Sequence, residues 1–135
     1  MPRRCAGCRV LIAEDNPVNQ IVIDSALALH GATVVMVADG QQAVDQVERA
    51  GPNAFDVVLM DLQMPVMDGY EATRRIRRLA PQLPIIGQTA HAMAEERDRC
   101  LAAGMVAHLA KPLDIARLVD TVARHAHKRG ATAAD

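Results

Sequence analysis

Glu14 and Asp15 stand at the end of the aliphatic run RVLIAE, Asp61 ends FDVVLMD, Thr89 ends PIIGQT, and Lys111 follows MVAHLA. These are the residue types that can hold a metal or take up a charged group. A strand such as Val57-Val58-Leu59-Met60 reads as buried on both faces, so a carboxylate at its mouth is costly unless something cationic shares the site. Two like charges about 4 Å apart repel by roughly 4 kcal/mol at an effective dielectric near 20, so three converging carboxylates require positive charge among them. A hard divalent ion meets that requirement: Mg²⁺ suits one or two carboxylates, a carbonyl, several waters and a phosphate oxygen. With Mg²⁺ and Lys111 compensating it, Asp61 becomes a carboxylate aimed from a rigid strand end at an incoming phosphoryl group.

Convergence depends on the elements that carry these residues. The runs at 9–14, 33–38 (TVVMVA), 55–61, 84–89 and 105–110 are too short for helices and rich in aliphatic side chains, which predicts five strands. Between the first two, Val18, Ile21, Val22, Ser25 and Leu29 fall on one face of a helix that Pro17 opens and Gly31 closes. Asp39 with Gln42 and Asp68 with Glu71 resemble capping boxes that start the second and third helices. A fourth helix is expected from Ala92 to Ala103, stopped by Gly104, and a fifth from Asp114 to His127. Strict alternation of this kind predicts an α/β fold, a doubly wound parallel sheet with helices on both faces. Ligands gather beyond the carboxyl ends of such strands. A strand order of 2-1-3-4-5 would make the first and third strands neighbours at the switch point, bringing Glu14, Asp15 and Asp61 together with Thr89 and Lys111 alongside.

Composition bounds the class. A chain of 135 residues that is 50% hydrophobic suits one domain with one sizeable core. Fifteen Lys and Arg against 16 Asp and Glu give a net charge of −1, which provides no argument for nucleic acid or an anionic membrane as a general partner. One Phe, one Tyr and no Trp leave little for bases to stack on. No run approaches the ~18 apolar residues of a membrane span, and MPRRCAGCRV lacks the apolar segment of a signal peptide, so the expected address is the cytoplasm. Residues 1–8 and 128–135 read as flexible ends around a domain over 9–127. Cys5 and Cys8 form a CxxC that precedes the first strand instead of joining a strand to a helix. It is read as two reduced thiols in the flexible extension, and Cys100 does not complete a zinc site with them.

The segments LIAEDNPVNQ, VLMDLQMPVMDGYEATRRIR, IIGQTAHAM and HLAKPL together resemble the receiver domain of two-component signalling, found in response regulators and hybrid histidine kinases. The resemblance implies a flavodoxin-like (βα)5 fold in the order 2-1-3-4-5. It implies that Asp61 accepts a phosphoryl group from a phosphohistidine donor, either a histidine kinase or a histidine phosphotransfer protein, and loses it slowly by self-dephosphorylation. Asp15 and the Gln63 backbone carbonyl would join Asp61 on Mg²⁺, for which Mn²⁺ can substitute, with Glu14 reaching the metal through water. Lys111 would pair with the acyl phosphate, and the Thr89 hydroxyl would move to bond it. Gln63 and His91 would tune the site, and the Lys111–Pro112 bond would be cis. His108 stands where many receivers carry a Tyr or Phe that follows the threonine, which makes it a switch residue. The EDNPVNQ and TAHAM segments are most similar to receivers at the C-terminal end of hybrid sensor kinases, whose parent chain would be membrane-anchored; the alternatives are a stand-alone response regulator or a non-phosphorylated docking scaffold.

Plainer readings compete for the same residues. Glu14 and Asp15 before Asn16 and Pro17 would serve as helix-capping acids, but capping accounts for neither Asp61 nor Lys111. Thr89 alone is a good strand former, and Lys111 alone a surface lysine. Arg74, Arg75, Arg77 and Arg78 read as a solvated face, since Ala72, Ile76 and Leu79 mark the buried one. Met60, Met64 and Met67 read as packing. His30, His125 and His127 read as solvated. A flavodoxin-type FMN protein needs a hydroxyl- and Gly-rich phosphate loop where this chain has EDNP. An aspartyl-phosphate phosphatase needs a second acid where this chain has Gln63.

Overall fold

Strands and helices alternate through the described residues: β1 (Arg9–Ala13), α1 (Pro17–Leu29), β2 (Thr33–Val37), α2 (Gly40–Ala50), β3 (Val57–Asp61), α3 (Gly69–Leu79), β4 (Ile85–Thr89), α4 (Ala94–Ala103), β5 (Ala107–Ala110) and α5 (Ile115–His125). The structure is a computed structural model that describes residues 4–90 and 94–126. His91, the expected start of the fourth helix at Ala92, and His127 with the C-terminal tail lie outside the described residues. The five strands form one parallel sheet in the order β2-β1-β3-β4-β5, the order expected from the sequence. Register sets Ala13 beside Met60, Asp61 beside Gln88, and Thr89 beside Ala110, so the strand ends that carry the chemistry lie side by side.

Each face of the sheet is covered by helices. Leu11, Val58, Met60 and Ile85 meet Val44 and Val47 of α2, Ile76 of α3 and Cys100 of α4. On the other face Val10, Ile12, Val57, Leu59 and Ile86 meet Ile23 and Leu27 of α1 and Leu118 and Val122 of α5. β3 is buried along its whole length because it lies at the centre of a sheet with neither face in water. Each Leu or Ile so enclosed contributes about 1.5–3 kcal/mol. Among the described residues, no helix is long and apolar enough to cross a membrane.

Four expectations meet a different packing. The α1 face carrying Val18, Ile21, Val22, Ser25 and Leu29 is not the core face: Val18, Ile21 and Leu29 are about two-thirds exposed, whereas Ile23 and Leu27 are wholly buried. A helix with apolar residues on two sides does not reveal from its own periodicity which side meets the sheet. Residues 4–8 do not trail from the fold. Cys5 and Cys8 are buried in the α1–α5 cluster without a disulfide, the Cys5 N–H donates to the His30 carbonyl at 2.9 Å, and the Thr33 N–H donates to the Cys8 carbonyl at 2.8 Å. Cys behaves as a small apolar side chain, and here two of them close the end of the α1–α5 layer. His30, which ends α1, is half-buried, with its Nδ1 enclosed and lacking a hydrogen bond. Leu79, at the end of α3, is exposed, while Tyr70 and Thr73 join Ala72 and Ile76 on the buried side.

Local signals fix how the helices leave the strands. Asn16 caps α1, its side chain accepting from Val18 N and Asn19 N. Asp39 caps α2 through Gln42 N, and Asp68 caps α3 through Glu71 N. The β3–α3 junction closes so tightly that a Cβ on Gly69 would lie 2.4 Å from the Asp61 carbonyl oxygen; only glycine lets α3 start against the end of β3. Gly104, at φ 103°, ends α4 in the left-handed region.

Candidate functional site

The carboxyl ends of β1 and β3 bring Glu14, Asp15 and Asp61 together, with one oxygen from each within 4.8 Å of the others. Glu14 and Asp61 are buried and Asp15 is exposed, so the cluster has an inner wall and an open side. Because Asn16 already caps α1, the acidic pair is not needed for that task.

Lys111, just past β5, reaches into this cluster. Its Nζ donates to Asp61 Oδ2 at 2.7 Å and lies 3.7 Å from Glu14 Oε1. Burial works against the lysine's charge, but the bond to Asp61 and the charges of Asp61, Glu14 and Asp15 outweigh it and raise its pKa. Burial, reinforced by the charge of Asp61, pushes the Glu14 carboxyl up, against the Asn16 N–H and Lys111. The second oxygen of Asp61 accepts from Gln63 N at 3.1 Å, so backbone and lysine together fix the plane of the carboxylate. The Lys111–Pro112 peptide is cis.

The donor set fits a hard divalent cation. All the side-chain ligands are oxygens, three carboxylates face one ammonium, and the buried Glu14 Oε1 has no hydrogen bond. A cation at the open side would supply the charge that Lys111 alone does not.

Thr89, 1% exposed at the end of β4, lies in the strand beside β3. Its hydroxyl donates to Glu96 Oε1 on α4 at 3.1 Å. Glu96 Oε2 accepts from the Tyr70 hydroxyl of α3, and the Arg99 guanidinium sits 4.4 Å above the Tyr70 ring and 3.7 Å from Glu96. Burial, then the bond to Glu96, raises the Tyr70 phenol pKa well above its usual value, keeping it a donor. A cleft of about 390 Å³ runs from Asp15 and Gln63 past Met64, Pro65 and Asp68 to Tyr70, Glu96 and Arg99. The sequence reading did not single out Tyr70, Glu96 or Arg99. In AEERDRC, Glu96 and Arg99 look like ordinary solvated charges, and no spacing along the chain marks them out.

Of the switch and tuning residues, Gln63 is exposed at the mouth of the site, and His108 is half-buried on β5 beside Gly87. Arg74 and Arg75 are exposed and paired with Glu71, as a solvated face requires. Met60 lies in the core, with Met64 and Met67 packed against it.

Comparison with known proteins points the same way as the geometry. Residues 10–123 match the family described as the response regulator receiver domain. The receiver domain of a Pseudomonas aeruginosa sensor histidine kinase, solved with a magnesium ion coordinated in its active-site cleft, is 47% identical, covering 89% of this chain and 98% of that one with a TM-score of 0.80. The sensor protein GacS of Pseudomonas syringae is 44% identical over 119 residues, which is 84% of this chain but 13% of that protein. A chain in the co-crystal structure of a Saccharomyces cerevisiae histidine phosphotransfer signalling protein with the receiver domain of its downstream response regulator is 28% identical, covering 88% of each with a TM-score of 0.80. The chain spans about one-eighth of the length of the curated sensor kinases it matches, 12% of the first two.

Proposed function

The chain belongs to the response regulator receiver domain family, and from that premise we propose that Asp61 is its phosphoacceptor, taking a phosphoryl group from a phosphohistidine. The observation that carries this reading is a buried strand-end carboxylate held by an ammonium at 2.7 Å, with two further carboxylates beside it. An Asp61 oxygen attacks phosphorus, an O–P bond forms as the P–N bond to the imidazole breaks, and the imidazole nitrogen keeps the electron pair. Lys111 holds the carboxylate in place and then neutralises the new phosphoryl oxygens. Asp15, Asp61 and the Gln63 carbonyl would hold Mg²⁺, with Glu14 behind them through water; when bound, the ion supplies positive charge to the cluster and to the incoming phosphoryl group. Thr89 and His108 are the switch pair, and Gln63 and His91 are the tuning residues.

The direct test is to incubate the chain with a small phosphoramidate and Mg²⁺, then map the acid-stable, alkali-labile adduct by mass spectrometry. A single adduct on the peptide containing Asp61 is expected; an adduct elsewhere would sink the assignment. Asp15→Asn is expected to weaken Mg²⁺ binding by at least about tenfold in calorimetric titration, since it removes the one exposed ligand carboxylate. Unchanged affinity would place the ion away from Asp15.

What surrounds the site supports a helical partner. Val18, Ile21 and Val22 form an exposed apolar face on α1, and a cleft of about 220 Å³ lined by Asn19, Val22, Ile23, Lys111, Pro112 and Leu113 joins that face to the lysine of the site. A helical donor packing its own apolar face there would bring a phosphohistidine to Asp61. Ile21→Glu is expected to slow transfer from a protein donor about tenfold more than labelling by a small phosphoramidate, measured by phosphotransfer time courses. Equal slowing of both would remove α1 from donor recognition. Since the curated relatives are sensor histidine kinases many times longer, the same reading puts the unit over 9–127 inside a hybrid kinase at the cytoplasmic side of its membrane.

A further inference from the structure

Asp61 and Thr89 end neighbouring strands, but the Thr89 hydroxyl is already engaged, and what engages it has no part in the chemistry described so far. Glu96 is a carboxylate that touches both Thr89 of β4 and Tyr70 of α3. Its side chain is 12% exposed, and each of its oxygens has a hydroxyl donor. Arg99, one turn along α4, lies over the Tyr70 ring and near the Glu96 oxygen that Tyr70 binds, so the carboxylate is held from three directions. Tyr70 is itself anchored, because α3 begins at Gly69 against the backbone of Asp61 and Leu62.

We propose that Glu96 is a positioning residue that holds the Thr89 hydroxyl toward α4 and so sets how readily Thr89 turns to a phosphoryl group on Asp61. The proposal rests on Asp61 being the phosphoacceptor. A hydroxyl bonded to a carboxylate gives up a charge-assisted hydrogen bond when it turns away, and that loss subtracts from whatever it gains at the new oxygen. Glu96 therefore opposes the switched state. Once Thr89 leaves, one oxygen of Glu96 keeps Tyr70 and Arg99 while the other loses the Thr89 hydroxyl, so the contact between α3 and α4 is remade at the same step. Phosphorylation would then be felt at the α3–α4 edge of the molecule as well as beside His108.

The test uses the acyl-phosphate mimic beryllofluoride in saturating Mg²⁺, with affinity read by fluorine NMR or calorimetry on the full chain. Glu96→Ala is expected to bind beryllofluoride about tenfold more tightly than wild type, because Thr89 no longer forfeits a charged partner. Glu96→Gln, which keeps an oxygen for the Thr89 hydroxyl, should gain less, and Tyr70→Phe, which loosens Glu96 without touching Thr89, should gain less than Glu96→Ala. In a Thr89→Ala background, Glu96→Ala should change nothing, since the residue acts through the hydroxyl. Unchanged affinity in Glu96→Ala and Glu96→Gln would overturn the proposal. So would an equal gain with and without Thr89, which would mean only that a negative charge near the site had been removed. If the wild-type chain bound no beryllofluoride, the phosphoacceptor reading would fall, and this inference with it; wild-type binding that is blind to Glu96 would sink the inference alone.

Discussion

Asp61→Asn is expected to take up no phosphoryl group at all from a phosphohistidine donor or a phosphoramidate, whatever the Mg²⁺ concentration. Among the described residues, Asp61 alone combines a buried strand-end position, a lysine at 2.7 Å and two neighbouring carboxylates. The substitution nearly preserves shape, so the loss would be chemical: a neutral amide oxygen is a far weaker nucleophile than a carboxylate and leaves no stable acyl phosphate. The fold should survive, because the change removes one of three crowded negative charges along with the partner of Lys111. Circular dichroism and an unfolding free energy unchanged to within about 1 kcal/mol would establish that. Undiminished labelling of a folded Asp61→Asn chain would place the acceptor elsewhere.

Lys111→Ala should separate the lysine's two roles. Without Mg²⁺, the variant leaves Asp61 and Glu14 facing each other with no ammonium, and Glu14 Oε1 already lacks a hydrogen bond. Removing one partner of a buried pair costs about 3–5 kcal/mol. Lys111 keeps 24% of its side chain exposed, so about 2 kcal/mol is expected, read as a lower denaturant midpoint. Adding Mg²⁺ should recover more stability in the variant than in wild type, because a cation binding the folded state no longer competes with a positive charge. Labelling should nevertheless slow about 100-fold, as the transferred oxygens lose their fixed cationic partner. If Mg²⁺ stabilised variant and wild type equally, Lys111 and the ion would not share the same carboxylates.

Much of this was legible along the chain because it depends on neighbours in sequence. Runs of four or five aliphatic residues between capped amphipathic stretches leave few folds open, and strict alternation makes the sheet parallel. In a parallel sheet every strand ends on the same edge, so Asp61, Thr89 and Lys111, read simply as the residues ending or following their strands, had to share that edge. The burial of β3 and the cost of its terminal carboxylate likewise follow from the run itself.

What the tertiary structure alone decided is which of several locally acceptable surfaces meet. α1 has apolar residues on two sides, and only docking on the sheet buries Ile23 and Leu27 while leaving Val18 and Ile21 in water. Cys5 and Cys8 lie in a stretch with no periodicity, and their burial comes from the α1–α5 cluster, in which Cys5 meets Val119 of α5, 114 residues away in the chain. Glu96 sits among charges in a helix of mixed polarity, and nothing local tells it from Glu95; it matters because α3 and the end of β4 bring Tyr70 and Thr89 to its two oxygens. Periodicity and capping report the few residues within reach of one another along the backbone, whereas a helix's working face and a carboxylate's partners are set by elements that meet only after the sheet has formed.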